Sequence, residues 1–177
     1  MKAVLAVKGR GNPMGRCMTV SVTVNGSAHT ANIEPRKTLG DFLRDDCGLT
    51  GTHLGCEHGA CGSCTVLLED KAVRSCLLFA VQANGRRVTT VEGLTRGQGE
   101  LGLVQQAFME GHGLQCGFCT PGFIVSVTAL LRDNPNPTHE EVAVGLSGNL
   151  CRCTGYQGIF KAVDIASRRM RETGDKP

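Results

Sequence analysis

The sequence predicts an α+β protein in which a strand-rich N-terminal half precedes a four-helix C-terminal half. Two observations predict it, a strictly alternating run ending in a hairpin signal and a change of hydrophobic period near residue 94, and each half contributes one set of four cysteines.

Regular structure is expected from Met18. Thr19-Val20-Ser21-Val22-Thr23-Val24 alternates, and Asn25-Gly26 is a strong two-residue hairpin signal, with a second strand through Ala31 and Ile33. Thr38 is a candidate N-cap with Asp41 three residues on, opening a helix whose apolar face is Leu39, Phe42 and Leu43. Residues 51–64 lack periodicity and are dense in Gly and Cys, which reads as a loop wound around a bound group. Val66-Leu67-Leu68 and Ala72-Val73 read as short strands about a turn at Asp70-Lys71, and Arg87 to Val91 as a last strand.

Beyond residue 94 the period becomes three to four. A first helix carries Leu103, Gln106, Ala107 and Glu110 and stops at Gly111. Thr120-Pro121 reads as an N-cap with Pro at N1, opening a helix with Phe123, Val127, Leu130 and Leu131 that stops before Pro135. Thr138 and Glu141 form a capping-box pattern for a third helix with Val142, Val144 and Leu146. A fourth runs from about Gly158, with Ile159, Val163, Ala166 and Met170 inward and Lys161, Asp164, Arg168 and Arg171 outward. The expected division is a basic extension at 1–17, a sheet domain at 18–93, a helical domain at 94–172 and a tail at 173–177.

Of the 177 residues, 24 are Gly, one is Tyr and none is Trp, so small elements following a bound group are favoured over a large aromatic core. Lys2, Lys8, Arg10 and Arg16, with no acid beside them in residues 1–17, account for more than the whole net charge of +3, which leaves the remainder near neutral and without the basic face of a nucleic-acid binder. Ala3 to Val7 is too short for a signal-peptide core, and no run approaches the ~20 apolar residues of a membrane span. A cytoplasmic location is expected, where ten cysteines read as metal ligands before disulfides.

Cys56, Cys61 and Cys64, completed by Cys76, have the C-x₄-C-x₂-C…C spacing of plant-type [2Fe–2S] sites. Two irons bridged by two sulfides need four thiolates from different directions, three from a wound loop and one from elsewhere. Gly55, Gly59 and Gly62 let such a loop approach closely and aim backbone N–H groups at sulfur, which raises the cluster potential. Structural zinc usually takes paired knuckles instead. The second set, Cys116 and Cys119 with Cys151 and Cys153, suits either a second cluster or zinc, although one intervening residue is tight for a zinc knuckle. Cys17 and Cys47 are left as spare thiols, and His53 and His58 as polar loop residues.

Three segments carry a more specific resemblance. Residues Gly55 to Val66, Gln115-Cys116-Gly117-Phe118-Cys119-Thr120-Pro121-Gly122, and Asn149-Leu150-Cys151-Arg152-Cys153-Thr154-Gly155-Tyr156 resemble the cluster motifs of the xanthine oxidase family of molybdenum hydroxylases. The likeness spans about Thr19 to Ala166 and is to the separate small subunit of three-subunit bacterial enzymes, with residues 1–17 outside it, either an extension or an early start ahead of Met18. It implies a β-grasp, plant-ferredoxin-like domain followed by a four-helix domain, with two [2Fe–2S] clusters on Cys56, Cys61, Cys64, Cys76 and on Cys116, Cys119, Cys151, Cys153. It also implies a large partner holding molybdenum with molybdopterin cytosine dinucleotide and a medium partner holding FAD, assembled as a heterotrimer or as a dimer of heterotrimers. Gln115 and Cys153 would lie against the pterin, no residue of this chain would touch substrate, and electrons would run from molybdenum through both clusters to flavin. A free two-cluster ferredoxin and a zinc-dependent binding module are the competing readings.

Overall fold

The computed structural model describes residues 17–177 except 98 and 176. The basic extension expected over residues 1–17 therefore lies, Cys17 apart, outside the described residues.

β1 (Met18–Val24) and β2 (Ser27–Ile33) form the expected antiparallel hairpin, with Val24 opposite Ser27. Asn25 and Gly26 both take positive φ, as a primed turn matched to strand twist requires. Asn25 also reaches beyond the turn, because its side chain accepts from Thr90 N–H and donates to Thr90 Oγ1, both at 2.9 Å. β3 (Thr65–Leu68) pairs antiparallel with β4 (Lys71–Arg74) and with β5 (Arg87–Thr89), while β5 runs parallel to β1. The mixed five-stranded sheet has the order β2-β1-β5-β3-β4.

Two strand ends differ from expectation. The β3–β4 turn is Glu69-Asp70, both at positive φ, so Lys71 belongs to β4 opposite Leu68 rather than to the turn. β5 ends at Thr89, because Val91–Leu94 form a 3₁₀ turn leading toward the second half.

Thr38 caps α1 (Leu39–Asp41), its hydroxyl accepting from Asp41 N–H at 3.1 Å. The helix then widens into a π turn over Phe42–Asp46, where Cys47 N–H reaches back five residues to Phe42 O at 3.1 Å. The adjacent side chains Phe42 and Leu43 are both fully buried with Leu39, Val20, Val22, Val24 and Val66 in the core under the sheet.

The second core lies among α2 (Leu103–Glu110), α3 (Thr120–Asp133), α4 (His139–Gly145) and α5 (Gln157–Thr173). Phe108, Phe123, Leu131, Ile159 and Val163 fill it, and Met170 closes one end. Lys161, Asp164, Arg168 and Arg171 are exposed, as the period of α5 predicts. Thr138 and Glu141 form a reciprocal capping box on α4. Val144 points outward instead of in, 69% exposed, since only Val142 and Leu146 lie on the short helix's packed side. Thr120 is not the cap of α3: Cys119 occupies that position, Pro121 falls at the second helical position, and the Thr120 hydroxyl is buried without a protein partner. α3 packs across β3 and β4 and joins the two halves.

Candidate metal centres

The loop from Cys56 to Cys64 is wound by three residues at positive φ, namely Glu57, Gly59 and Gly62. The winding turns N–H groups inward. Cys61 N–H points at Cys56 Sγ (3.3 Å), and this contact, then that of His58 N–H, draws the Cys56 thiol down to about 6. Such contacts favour the thiolate, the form that binds metal. Gly59 stands at φ +86°, a conformation that residues with side chains rarely adopt, while the Leu77 Cδ1 that a Cβ would meet at 2.5 Å is the movable end of an exposed side chain.

Cys76 reaches the loop from the 3₁₀ turn Ser75–Leu77 after β4. Ser75 fixes that approach, donating to Cys64 O from its N–H (3.2 Å) and its hydroxyl (2.8 Å). Burial, then the adjoining Cys64 thiol, pushes the Cys76 thiol up to about 11, while Gly59 N–H opposes the shift.

In the second half, Cys119 stands at the N-cap position of α3 without a side-chain capping bond and meets Cys151 thiol to thiol; burial first, then this contact, pushes Cys119 up to about 12. Burial would raise Cys151 too, but the Thr154 hydroxyl (3.1 Å) and N–H (3.4 Å) outweigh it and hold that thiol below its ordinary value. Cys151 N–H donates to the Tyr156 hydroxyl at 3.1 Å, and Tyr156 in turn packs edge-on to Phe123 of the core. Cys116 and Cys153 are exposed and touch each other, a contact that raises the Cys153 thiol.

The eight thiols thus adjoin in pairs: Cys56 with Cys61, Cys64 with Cys76, Cys116 with Cys153, and Cys119 with Cys151. Among the described residues no three His, Cys, Asp or Glu side chains converge as a ligand set for a single metal ion. A tetrahedral zinc needs four donors about one point. A two-iron, two-sulfide centre asks for two protein thiolates at each iron, because sulfide fills the other positions. The pairs also face one another within each set, Cys56 toward Cys76 and Cys116 toward Cys119, and two adjoining pairs of thiols fit the second demand.

The two sites adjoin. Leu150, directly before Cys151, donates its N–H to Cys61 O at 2.9 Å. His53 stacks on Phe118 with centroids 5.0 Å apart, and its Nδ1 lies 2.7 Å from Phe118 O, so it joins the first loop to the Cys116–Cys119 segment. Linear reading misses that role, and also that of Arg74, whose guanidinium donates to Gly148 O (2.6 Å) and Thr65 Oγ1 (2.5 Å). Thr154 is legible in part, as a hydroxyl three residues after Cys151. Cys47, pushed up to about 11 by burial and by Asp46, sits beside the N-terminal core away from both sites. Cys17 is exposed, and Gln115, next to Cys116, is exposed as well. No described helix is long and apolar enough to cross a membrane.

Residues 22–95 match the family described as "2Fe-2S iron-sulfur cluster binding domain", and residues 90–164 that described as "[2Fe-2S] binding domain". The chain is 56% identical over 144 residues to the nicotine 6-hydroxylase small subunit of Paenarthrobacter nicotinovorans, covering 81% of this chain and 86% of that one. It is 50% identical over 151 residues to caffeine dehydrogenase subunit gamma of Pseudomonas sp. strain CBB1, covering 84% and 90%. In three dimensions it matches quinoline 2-oxidoreductase from Pseudomonas putida 86 with a TM-score of 0.84 at 46% identity, over 89% of this chain and 98% of that one.

Proposed function

Because the chain belongs to the xanthine oxidase family of molybdenum hydroxylases, as an iron–sulfur small subunit with two [2Fe–2S] domains, we propose that its eight paired cysteines form an electron relay between two partner subunits. Cys56, Cys61, Cys64 and Cys76 hold one cluster and Cys116, Cys119, Cys151 and Cys153 the other. When bound, each cluster supplies a one-electron store. The chain's residues do the rest: N–H groups of the Cys56–Cys64 loop and the Thr154 hydroxyl stabilise thiolate charge, and burial of Cys64 and Cys76 keeps water from one side of the first site.

The observation that carries the reading is the arrangement in series. The two ligand loops share the Leu150–Cys61 hydrogen bond, and each has a surface side of its own, with Cys116 and Cys153 exposed at one site and Leu77 and Phe79 exposed beside the other. Leu114, Phe118 and Leu150, all exposed and apolar, flank the second site. A covered face suits these residues better than the charged docking face of a free shuttle.

The proposed donor is a large subunit with molybdenum and molybdopterin cytosine dinucleotide, and the acceptor a medium subunit with FAD, assembled in the cytoplasm as a heterotrimer or a dimer of heterotrimers. Gln115 and Cys153 are the residues proposed to meet the pterin. In this reading the ferredoxin-like unit covers residues 18–93 and the helical unit 94–172. Co-expression with the two larger chains from neighbouring reading frames tests it: the three chains should co-purify, and the clusters should bleach with the complex's substrate. N-heterocyclic compounds are the first to screen, given the relatives named for nicotine and caffeine. Purification of a lone chain that exchanges electrons with unrelated enzymes would refute the relay and favour a free ferredoxin.

A further inference from the structure

Asn149 is only 3% exposed and lies two residues before Cys151. Its side chain ties together three segments that carry the proposed ligands. Nδ2 donates to Gly62 O (3.1 Å), in the loop between Cys61 and Cys64. Oδ1 accepts from Ser126 Oγ (2.9 Å) on α3, whose N-cap position Cys119 holds. The third segment is its own, leading into Cys151 and Cys153.

Around this amide the two halves meet backbone to backbone. A Cβ on Gly62, which has φ +76°, would stand 2.5 Å from Gly148 O and 2.7 Å from Asn149 Nδ2. A Cβ on Gly122 of α3 would collide with Gly62 O and stand 2.9 Å from Ser63 Cα. Arg74 holds Gly148 O from the other side at 2.6 Å. None of these interactions is to sulfur, so their part is to place the ligand-bearing segments. A buried amide bonded at both ends instead specifies one relative placement, because any other leaves its donor or acceptor unmet.

We propose that Asn149 is a positioning residue that sets the separation between the Cys61–Cys64 loop and the Cys151/Cys153 pair, and through it the separation of the two clusters. The inference rests on the two-cluster relay reading above. The transfer it governs moves one electron from a reduced cluster to an oxidised one, with no bond broken and no proton moved.

The test compares the wild-type complex with Asn149→Ala, Asn149→Asp and Ser126→Ala. Iron is counted first, the dipolar splitting in the electron paramagnetic resonance spectrum of the doubly reduced complex is measured, and electron redistribution after partial reduction by dithionite is timed. Dipolar splitting varies as the inverse cube of separation, so it reads geometry without turnover. With iron content retained, both Asn149 variants should change the splitting and slow redistribution, since loss of the buried amide's bond to Gly62 lets the two ligand segments part. Ser126→Ala, which leaves the bond to Gly62, should act in the same direction and less. If Asn149→Ala fails to fold, the nearly isosteric Asn149→Asp decides, because its carboxylate has no donor for Gly62 O and sets a negative charge against that oxygen. Unchanged splitting and redistribution in Asn149→Asp overturns the proposal. A wild-type chain with fewer than about four irons would instead defeat the two-cluster reading itself.

Discussion

Gly122→Ala sets a local preference against a tertiary contact, and the two predict opposite signs. Gly122 is the third residue of α3. In an exposed helix, replacing Gly by Ala stabilises by about 1 kcal/mol. Here the new methyl would run into the Gly62 carbonyl, with Ser63 Cα at 2.9 Å and Gly62 C at 3.1 Å. These are backbone atoms, which cannot rotate aside, so α3 and the Cys61–Cys64 loop must part. Overpacking of this kind costs about 1–3 kcal/mol. Parting also stretches Leu150 N–H to Cys61 O (2.9 Å) and Asn149 to Gly62 O (3.1 Å), bonds worth about 0.5–1.5 kcal/mol each. The contact wins, leaving a net destabilisation of about 2 kcal/mol. For a chain of this size that lowers Tm by about 4–8 °C. Thermal unfolding followed by circular dichroism on wild type and variant, with equal iron content, reads it. An unchanged or raised Tm would show that helix preference prevails and that the seam between the two sites is not closely packed.

Other consequences are simpler. Cys47→Ser should leave iron content unchanged, whereas Cys76→Ser should remove the first cluster and destabilise its domain, because metal binding and folding are coupled; iron loss from the Cys47 variant would expose a misassigned ligand. Thr138→Ala should lower stability by about 1 kcal/mol through loss of the α4 cap, measured by denaturant midpoint. The Glu141 carboxyl is held below its usual range by the Thr138 N–H, then by its hydroxyl. Its contribution is therefore complete above the unfolded carboxylate value near about 4.3 and lost as pH falls through the lower folded value, so the Tm gap to Glu141→Gln should close on acidification. Gln115→Ala should retain iron but slow reduction of the second cluster by substrate about tenfold or less, the worth of one neutral hydrogen bond, and an unchanged rate would refute its placement against the pterin.

What is legible in the sequence is what neighbours in the chain decide. The Asn25-Gly26 hairpin, the Thr138–Glu141 box and the inward face of α5 follow from spacing alone, and so do the two cysteine sets. Errors arise where one local rule competes with another. Thr120 has the chemistry of a cap, yet Cys119 already holds that position and Pro121 is accommodated one residue further in. Glu69 is a poor residue for a primed turn, so residue preference alone puts the β3–β4 turn one residue late. The partnership of Asn149 with Gly62 spans 87 residues and leaves no trace in any periodicity. The pairing of thiols likewise depends on where Ser75 and Thr154 hold them, which spacing does not express.

The central claim is that one chain holds two distinct two-iron centres on eight paired cysteines. Spin quantitation by electron paramagnetic resonance of the dithionite-reduced protein tests it most directly. Two spins per chain with two different sets of g-values are predicted, falling to one in Cys76→Ser with the helical-domain signal left in place. A single spin per chain in the wild type, with zinc recovered from the other site, would contradict it.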